Sequence, residues 1–199
     1  SHEHSDHIAG LQQLLKRFDI PVYTKQGTWR EIQNKLIVPK NQFIELTKGS
    51  LTLGNLIVEP FAVSHDAADP IGINVFAGKD KATVVTDTGV ISDSILRRMD
   101  DTTLLVLEAN YDPHMLRFGP YQPFLKQRVA SDEGHLSNEM AAQALLMMNR
   151  PDFMQVILAH RSENNNNAVL VTQTIGKMLV DGGVRIGPEM KLQHGQPNE

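Results

Sequence analysis

Apolar residues recur along this chain with two periods, and stretches of helical spacing alternate with stretches of strand-like spacing. Ile8, Leu11, Leu14, Leu15 and Phe18 follow the helical period, and Ile20-Pro21-Val22-Tyr23 then reads as a short strand. Leu51 to Leu53 and Leu56 to His65 flank Gly54 as a hairpin whose second strand ends at the histidine. Gly72 to Ala77 and Ala82 to Thr86 form another strand pair, turned by Gly78-Lys79-Asp80-Lys81. A helix over Ser92 to Met99 precedes a continuous apolar run, Leu104 to Leu107, that fits a buried strand. From Asp112 to Gly134 prolines and glycines interrupt any period and leave room for one short helix, Phe124 to Val129. Ser137 to Met148 carries a helical stripe with Met140, Met147 and Met148 in the core. Gln155 to Ala159 is a strand ending at His160, and Ala168 to Val180 is the last helix. The polar stretch His194 to Glu199 is expected to be a loose tail. The pattern has no repeats and predicts one α/β (layered α+β) domain over 1–199, with sheet covered by helices.

Composition narrows this picture. With 41% hydrophobic and 21% charged residues the chain is an ordinary globular one. No apolar run spans a bilayer and the polar start has no secretory signal, so the expectation is a cytoplasmic protein without a membrane partner. Cysteine is absent, which excludes disulfides and thiolate metal sites and leaves His, Asp and Glu as the available ligands. The formal charge of −4 speaks against a broad basic face for nucleic acid. A local cationic groove remains compatible with it, because bound divalent ions add charge that the formula omits.

The histidines carry the chemistry. Three of the eight lie in His2-Glu3-His4-Ser5-Asp6-His7, and His65 and His160 each follow an apolar strand, as does Asp87. Strand ends let a rigid sheet aim several side chains at one point. A His/carboxylate set suits zinc, manganese or iron, and seven ligands exceed what one tetrahedral ion needs; they make two half-sites sharing a carboxylate. A lone His-x-His is a weak signal, whereas His-x-His-x-Asp-His before an amphipathic helix is a strong one. The bland alternative is a solvated, histidine-rich loop.

SHEHSDH resembles the signature of the metallo-β-lactamase-fold superfamily. SHDAADP, TDTG, LEAN, GHLSN and LAHRSENNN then fall in the order of its WalJ/YycJ-type branch, which resembles single-domain exonucleases. The resemblance runs from Ser1 to Asn167 and implies an αβ/βα sandwich with a dinuclear centre at the sheet edges. By motif, His2, His4 and His65 would hold one ion, Asp6, His7 and His160 the other, with Asp87 bridging. In that family strands precede the SHEHSDH motif, so the expectation is a sandwich lacking its N-terminal strands, or a fragment. His2 at a fraying terminus would then be a poor ligand. Tyr111 stands where many relatives have His and is not counted as a ligand.

Glu108 ends a buried strand and His135 sits in a polar turn. In tRNase Z enzymes a Glu and a His at similar motif positions form a proton-shuttling pair, which by resemblance makes His135 the donor to the leaving oxygen and Glu108 the group that orients it. The alternative for His135 is a helix cap. Asp66 could orient a ligand histidine, Asp69 reads as a turn residue, and Ser137 and Asn138 read as a helix start. Arg117, Lys126 and Arg128 around Tyr121 and Phe124 suit a strand of nucleic acid, or a solvated loop. Arg161 is either a phosphate contact or a surface ion pair, Asn164 to Asn167 a polar loop and helix start, and His114 and His194 surface residues. The resulting expectation is a DNA 5′-exonuclease with two divalent metal ions (zinc or manganese, or iron), a metal-bound hydroxide as the attacking group, and Asp6, Glu108 and His135 in the chemistry. A small-molecule phosphodiesterase or ester hydrolase of the same fold is the first rival. A metal-free scaffold that binds nucleic acid or a partner is the second.

Overall fold

The structure, a computed structural model, describes residues 1–47 and 49–195. The N-terminal third forms a small lobe. Helices α1 (Ser5–Ile8) and α2 (Leu11–Arg17), strand β1 (Val22–Thr24), helix α3 (Gln26–Lys35) and strand β2 (Phe43–Glu45) follow one another, and β1 pairs with β2 in parallel. The expected single helix from Ile8 to Phe18 is broken at Ala9-Gly10, and Leu14 and Phe18 face solvent. Ile8, Trp29 and Ile32 form the lobe's own apolar centre, with Trp29 stacked on Phe43.

The main sheet contains β3 (Leu51–Leu53), β4 (Leu56–Ala62), β5 (Ile71–Ala77), β6 (Asp80–Val85), β7 (Leu104–Glu108), β8 (Met154–Ala159) and β9 (Met190–His194), in that spatial order. β3 to β6 run antiparallel and β6 to β9 parallel. β4, β6, β7 and β8 therefore all end at one edge. Ala77 pairs with Asp80, so the β5–β6 turn has only Gly78 and Lys79 at its tip, tighter than the four residues expected. The predicted loose tail is corrected at its start: His194 closes β9, which pairs with β8, and Gly195 N–H donates to Leu158 O. Residues 196–199 of that tail lie outside the described residues.

Helices α4 (Asp93–Met99), α7 (Asn138–Met147) and α8 (Ala168–Asp181) cover one face of the sheet. Val85, Leu105, Leu107, Val156 and Leu158 meet Ile95, Met99, Leu145, Ile175 and Leu179 in the main core. Burying each large apolar side chain there stabilises the fold by about 1.5–3 kcal/mol. Met148 and Met140 join this core, but Met147 is 67% exposed, against the expectation of a three-methionine core set. Each cap is chemically plain: Ser92, Ser137 and Asn167 accept the N–H three residues on. The opposite sheet face, with Ile73, Val75, Val84, Val106 and Ile157, is apolar too and only partly buried among the described residues.

The irregular stretch Asp112–Gly134 is more ordered than its prolines suggest. It holds α5 (Pro113–Phe118) and α6 (Pro123–Val129), each with proline in its first turn, and Asp112 caps α5 through Met115 N. Tyr111, Leu116 and Val129 pack beneath them with Tyr121 and Leu125. No helix among the described residues is long and apolar enough to cross a membrane.

Candidate metal centre

The edge where β4, β6, β7 and β8 end receives side chains from both lobes. His65 follows β4, Asp87 follows β6, Glu108 is the last residue of β7, and His160 directly follows β8. Asp87 and His160 adopt φ of +57° and +52°, in the left-handed region. That backbone costs a non-glycine residue about 1–2 kcal/mol, and residues held there gather at functional sites. Asn110 steadies the His160 turn by donating from Nδ2 to His160 O at 2.8 Å. From the small lobe, the segment into α1 delivers His2, His4, Asp6 and His7. Its docking is fixed by Glu3, whose carboxylate accepts Ala68 N–H at 2.8 Å and whose carbonyl accepts Lys35 Nζ at 3.0 Å.

All seven side chains that the sequence offers as metal ligands meet here. The sets His2, His4, His65 and Asp6, His7, His160 each have their ligand atoms within 4.8 Å of one another, and Asp87 joins His2 and His7 in a third such set. Asp87 lies between the two groups, with His7 Nε2 and His160 Nε2 each at 3.3 Å and His65 Nε2 at 3.7 Å from its oxygens. The expectation of a frayed His2 is corrected: it is 2% exposed, its ring 4.6 Å from that of His4 and 4.9 Å from that of His65. Docking of Glu3 beneath it supplies the order that position in the chain does not.

Two observations say that this donor set fits cations. The buried atoms His2 Nε2 and Asp87 Oδ2 have no hydrogen-bond partner among the described residues, an expensive state unless something else satisfies them. Five imidazoles also crowd together, and protonating them all would be repulsive. Burial pushes the His2 imidazole down to about 3, against the pull of Asp87, so its lone pair is free. Burial also acts on His160, but the hydrogen bond and charge of Glu108, with Asp87, push it up to about 9. An ion taken up at His160 would therefore displace a proton. Burial opposes ionisation of Asp87, yet the facing His7 and His160 hold its carboxyl well below the usual carboxylate range.

Glu108 does more than the sequence suggested. Its fully buried carboxylate accepts His135 Nδ1 and His160 Nδ1, both at 2.7 Å on Oε1, and the N–H groups of Thr88 and Leu136 at 3.2 Å on Oε2. Both imidazoles thus carry a proton on Nδ1 and direct Nε2 at the cluster or the cleft. Burial raises the Glu108 carboxyl, but the hydrogen bonds from His135 and His160 outweigh it and keep the group anionic. His65 is set the same way, with Nδ1 donating to Gly134 O at 3.0 Å. Asp66 sits 3.6 Å from His65 Nε2 and 3.8 Å from His4 Nε2 and forms an ion pair with Arg128. Asp69 accepts Thr28 Oγ1–H on its backbone carbonyl at 3.2 Å. Tyr111 is buried in the apolar cluster under α5 and α6, with Leu116 and Val129. Asn138 begins α7 as expected, and its amide also pairs reciprocally with that of Asn166, tying two loops of the site together.

Gly134 is where this site has no spare room. A Cβ there would lie 2.3 Å from the carbonyl oxygens of Arg128 and Val129, both backbone. Gly134→Ala should therefore displace the turn that carries His135 and accepts from His65. Strain of this kind costs about 1–3 kcal/mol, which corresponds to about 2–4 °C of melting temperature per kcal/mol. Turnover should fall along with it. An unchanged melting temperature would show that the turn relaxes freely.

The cluster is flanked by cations that sequence reasoning undervalued. Lys35 comes from α3, a helix the apolar period did not announce, and shares a groove of about 460 Å³ with His4, Asp6, Asp87, Arg128, His135 and His160. His114, with no motif around it, is exposed on α5, and His194 meets Thr172 far from the cluster in sequence.

A rigid sheet edge, a partly buried donor set suited to divalent metal and a carboxylate-oriented imidazole beside it define a metal-dependent hydrolase of layered α/β fold. Residues 1–160 match the family model described as "Beta-lactamase superfamily domain". The chain is 35% identical to "Exodeoxyribonuclease YycJ" of Bacillus anthracis, over 99% of this chain and 75% of that one. It is 32% identical to "Exodeoxyribonuclease WalJ" of Streptococcus pneumoniae, over 100% of this chain and 75% of the relative. Among solved structures, the metallo-beta-lactamase fold protein YhfI from Bacillus subtilis superposes with a TM-score of 0.70 at 17% identity, covering 96% of this chain and 72% of that one. The chain belongs to the beta-lactamase superfamily, in the branch that holds the YycJ and WalJ proteins.

Proposed function

We propose that this chain is a DNA exonuclease acting from the 5′ end, a single hydrolase domain working in the cytoplasm. The observation that carries the reading is the convergence of His2, His4, Asp6, His7, His65, Asp87 and His160 beside one further imidazole, His135, held by Glu108. Two divalent ions (zinc, manganese or iron) bound by those seven groups would supply an activated water and positive charge against a phosphodiester.

The remaining work belongs to the chain. Glu108 holds Nδ1–H of His135 and of His160, so His135 Nε2 faces the cleft. In the imidazolium form, protonated on both nitrogens, His135 gives its Nε2 proton to the departing oxygen and is left as the neutral Nδ1–H imidazole. Asp6, more exposed than the other ligands, lines both openings of the site and faces the incoming phosphate side. Lys35 on one side, Arg161 on the other and Arg128 between them give a chain of net charge −4 a local cationic path for a polyanion. The exodeoxyribonuclease relatives support DNA as that polyanion.

The test couples metal analysis to digestion of an end-labelled oligonucleotide. Purified protein reconstituted with manganese or zinc should bind up to two ions, release mononucleotides from the 5′ end, and stop when a chelator removes the metal. Its apparent affinity for the oligonucleotide should fall steeply with salt, as it does when several phosphates are neutralised. Rapid hydrolysis of small phosphodiesters with no action on DNA would shift the reading to a small-molecule phosphodiesterase. Failure to take up metal at all would leave only a binding scaffold.

A further inference from the structure

A second cleft opens directly off the metal centre. It measures about 520 Å³ and shares Asp6, Arg128, His135 and His160 with the groove on the Lys35 side, so the two form one trough through the site. Its far walls differ in chemistry. One is made by Tyr121, Leu125 and Val129, the other by Arg161, Ser162, Glu163 and Asn164. The apolar wall is firmly backed, because Tyr121 and Leu125 pack on the buried Tyr111, Leu116 and Val129. Asn164 Nδ2 lies 3.5 Å from the Tyr121 hydroxyl, a contact between the two walls. Arg161 on the polar wall makes no ion pair among the described residues. The other large cavity, about 550 Å³ beneath Arg150 and Arg185, lacks this availability: Arg185 pairs with Glu189, and Arg150 donates to the Leu145 and Leu146 carbonyls.

We infer that this cleft receives the base of the nucleotide adjoining the cleaved bond, stacked on Tyr121 with Leu125 alongside and its sugar-phosphate edge toward Arg161 and Ser162. The inference rests on the phosphodiesterase reading and adds the group beside the phosphate that the protein recognises. The volume suits a nucleoside, and sites for such ligands combine an apolar wall with a few placed polar groups. A metal centre and its cations hold phosphate but give nothing to a base; a half-buried aromatic ring a few side chains away does. Stacking on one ring also accepts every base, because each has a π face. Tyr121 is thus a positioning residue that sets register, and the cleft selects nucleotides over simple phosphate esters without selecting among bases.

The experiment uses the metal-reconstituted protein and two ligands that differ only in the base, thymidine 5′-monophosphate and 2-deoxyribose 5-phosphate. By calorimetry the parent should bind the nucleotide about 5- to 150-fold more tightly, the range for one stacked base. Tyr121→Ala should bring the two affinities to within about twofold while metal content stays at the parental value. Tyr121→Phe keeps the ring and should keep the preference. Equal affinity of the parent for both ligands overturns the inference, and so does a Tyr121→Ala protein that still discriminates, or a Tyr121→Phe protein that does not. Hydrolysis of thymidine 5′-(4-nitrophenyl) phosphate is followed separately. No turnover of that ester together with a Tyr121-dependent base preference would remove the phosphodiesterase reading and leave the base cleft standing.

Discussion

Asp87→Asn is expected to abolish tight metal binding and reduce turnover by more than the roughly 10–100-fold typical of losing a group that only orients a ligand. The substitution isolates charge from shape. Asp87 is 2% exposed and sits at φ +57°, a conformation that asparagine, among non-glycine residues, adopts most readily. Fold and backbone should therefore survive. What disappears is the anionic oxygen pair standing 3.3 Å from His7 and His160 and 3.7 Å from His65. A neutral amide cannot offer two anionic donors to two cations. Elemental analysis and oligonucleotide digestion of the variant check both halves. Normal turnover by Asp87→Asn would show that the shared carboxylate is elsewhere.

His135→Ala should behave differently, keeping the bound ions and nearly all substrate affinity while losing about 10²–10⁴-fold in turnover, the range for an absent general acid. Among the described residues the ring's one hydrogen bond is Nδ1 to Glu108, so its removal leaves Glu108 still bound by His160, Thr88 and Leu136. The loss should shrink for a nitrophenyl phosphodiester, whose leaving group departs without a proton. His160→Ala should instead lose an ion and act poorly on both substrates. The contrast matters because His135 Nδ1 is only 4.0 Å from Asp87 Oδ1, and His135 belongs with Asp87, Glu108 and His160 to a set able to hold an ion. Loss of metal from His135→Ala would make it a ligand and end the proton-transfer assignment.

Much of the fold was legible because its strands are short and strongly apolar. Leu104 to Leu107 and Gln155 to Ala159 lie where the apolar runs put them, and the strand expected from Leu56 to His65 begins at Leu56 but stops at Ala62, three residues before the histidine. Elements that escaped were those with few apolar residues of their own. Helix α3 buries little more than Thr28, Trp29 and Ile32, too brief a stripe to announce a period. β9 alternates only through Met190 and Leu192, and its strand character comes from pairing with β8. α5 did carry a signal, Asp112 followed by proline as a capped helix start, which the proline-rich surroundings obscured.

The sequence alone determined the kinds of donor at the site and, for three of them, their placement at strand ends. Histidines and aspartates in motif spacing are chemical facts of the chain, and the apolar runs before His65, Asp87 and His160 set where those three emerge from the sheet. Only the tertiary structure decided how those donors are used. Strand order brings the ends of β4, β6, β7 and β8 to one edge, and no local pattern encodes which strands become neighbours. The left-handed turns at Asp87 and His160 are invisible in residues that are not glycine, yet they point both side chains into the cluster. Glu108 could be paired with His135 by motif, but its equal hold on His160 exists because β7 and β8 lie side by side, with Glu108 opposite Ala159. Lys35 and Tyr121 reach the trough for the same reason: each is placed by packing of a whole lobe or helix pair, an outcome of many weak long-range contacts that no single stretch of sequence contains.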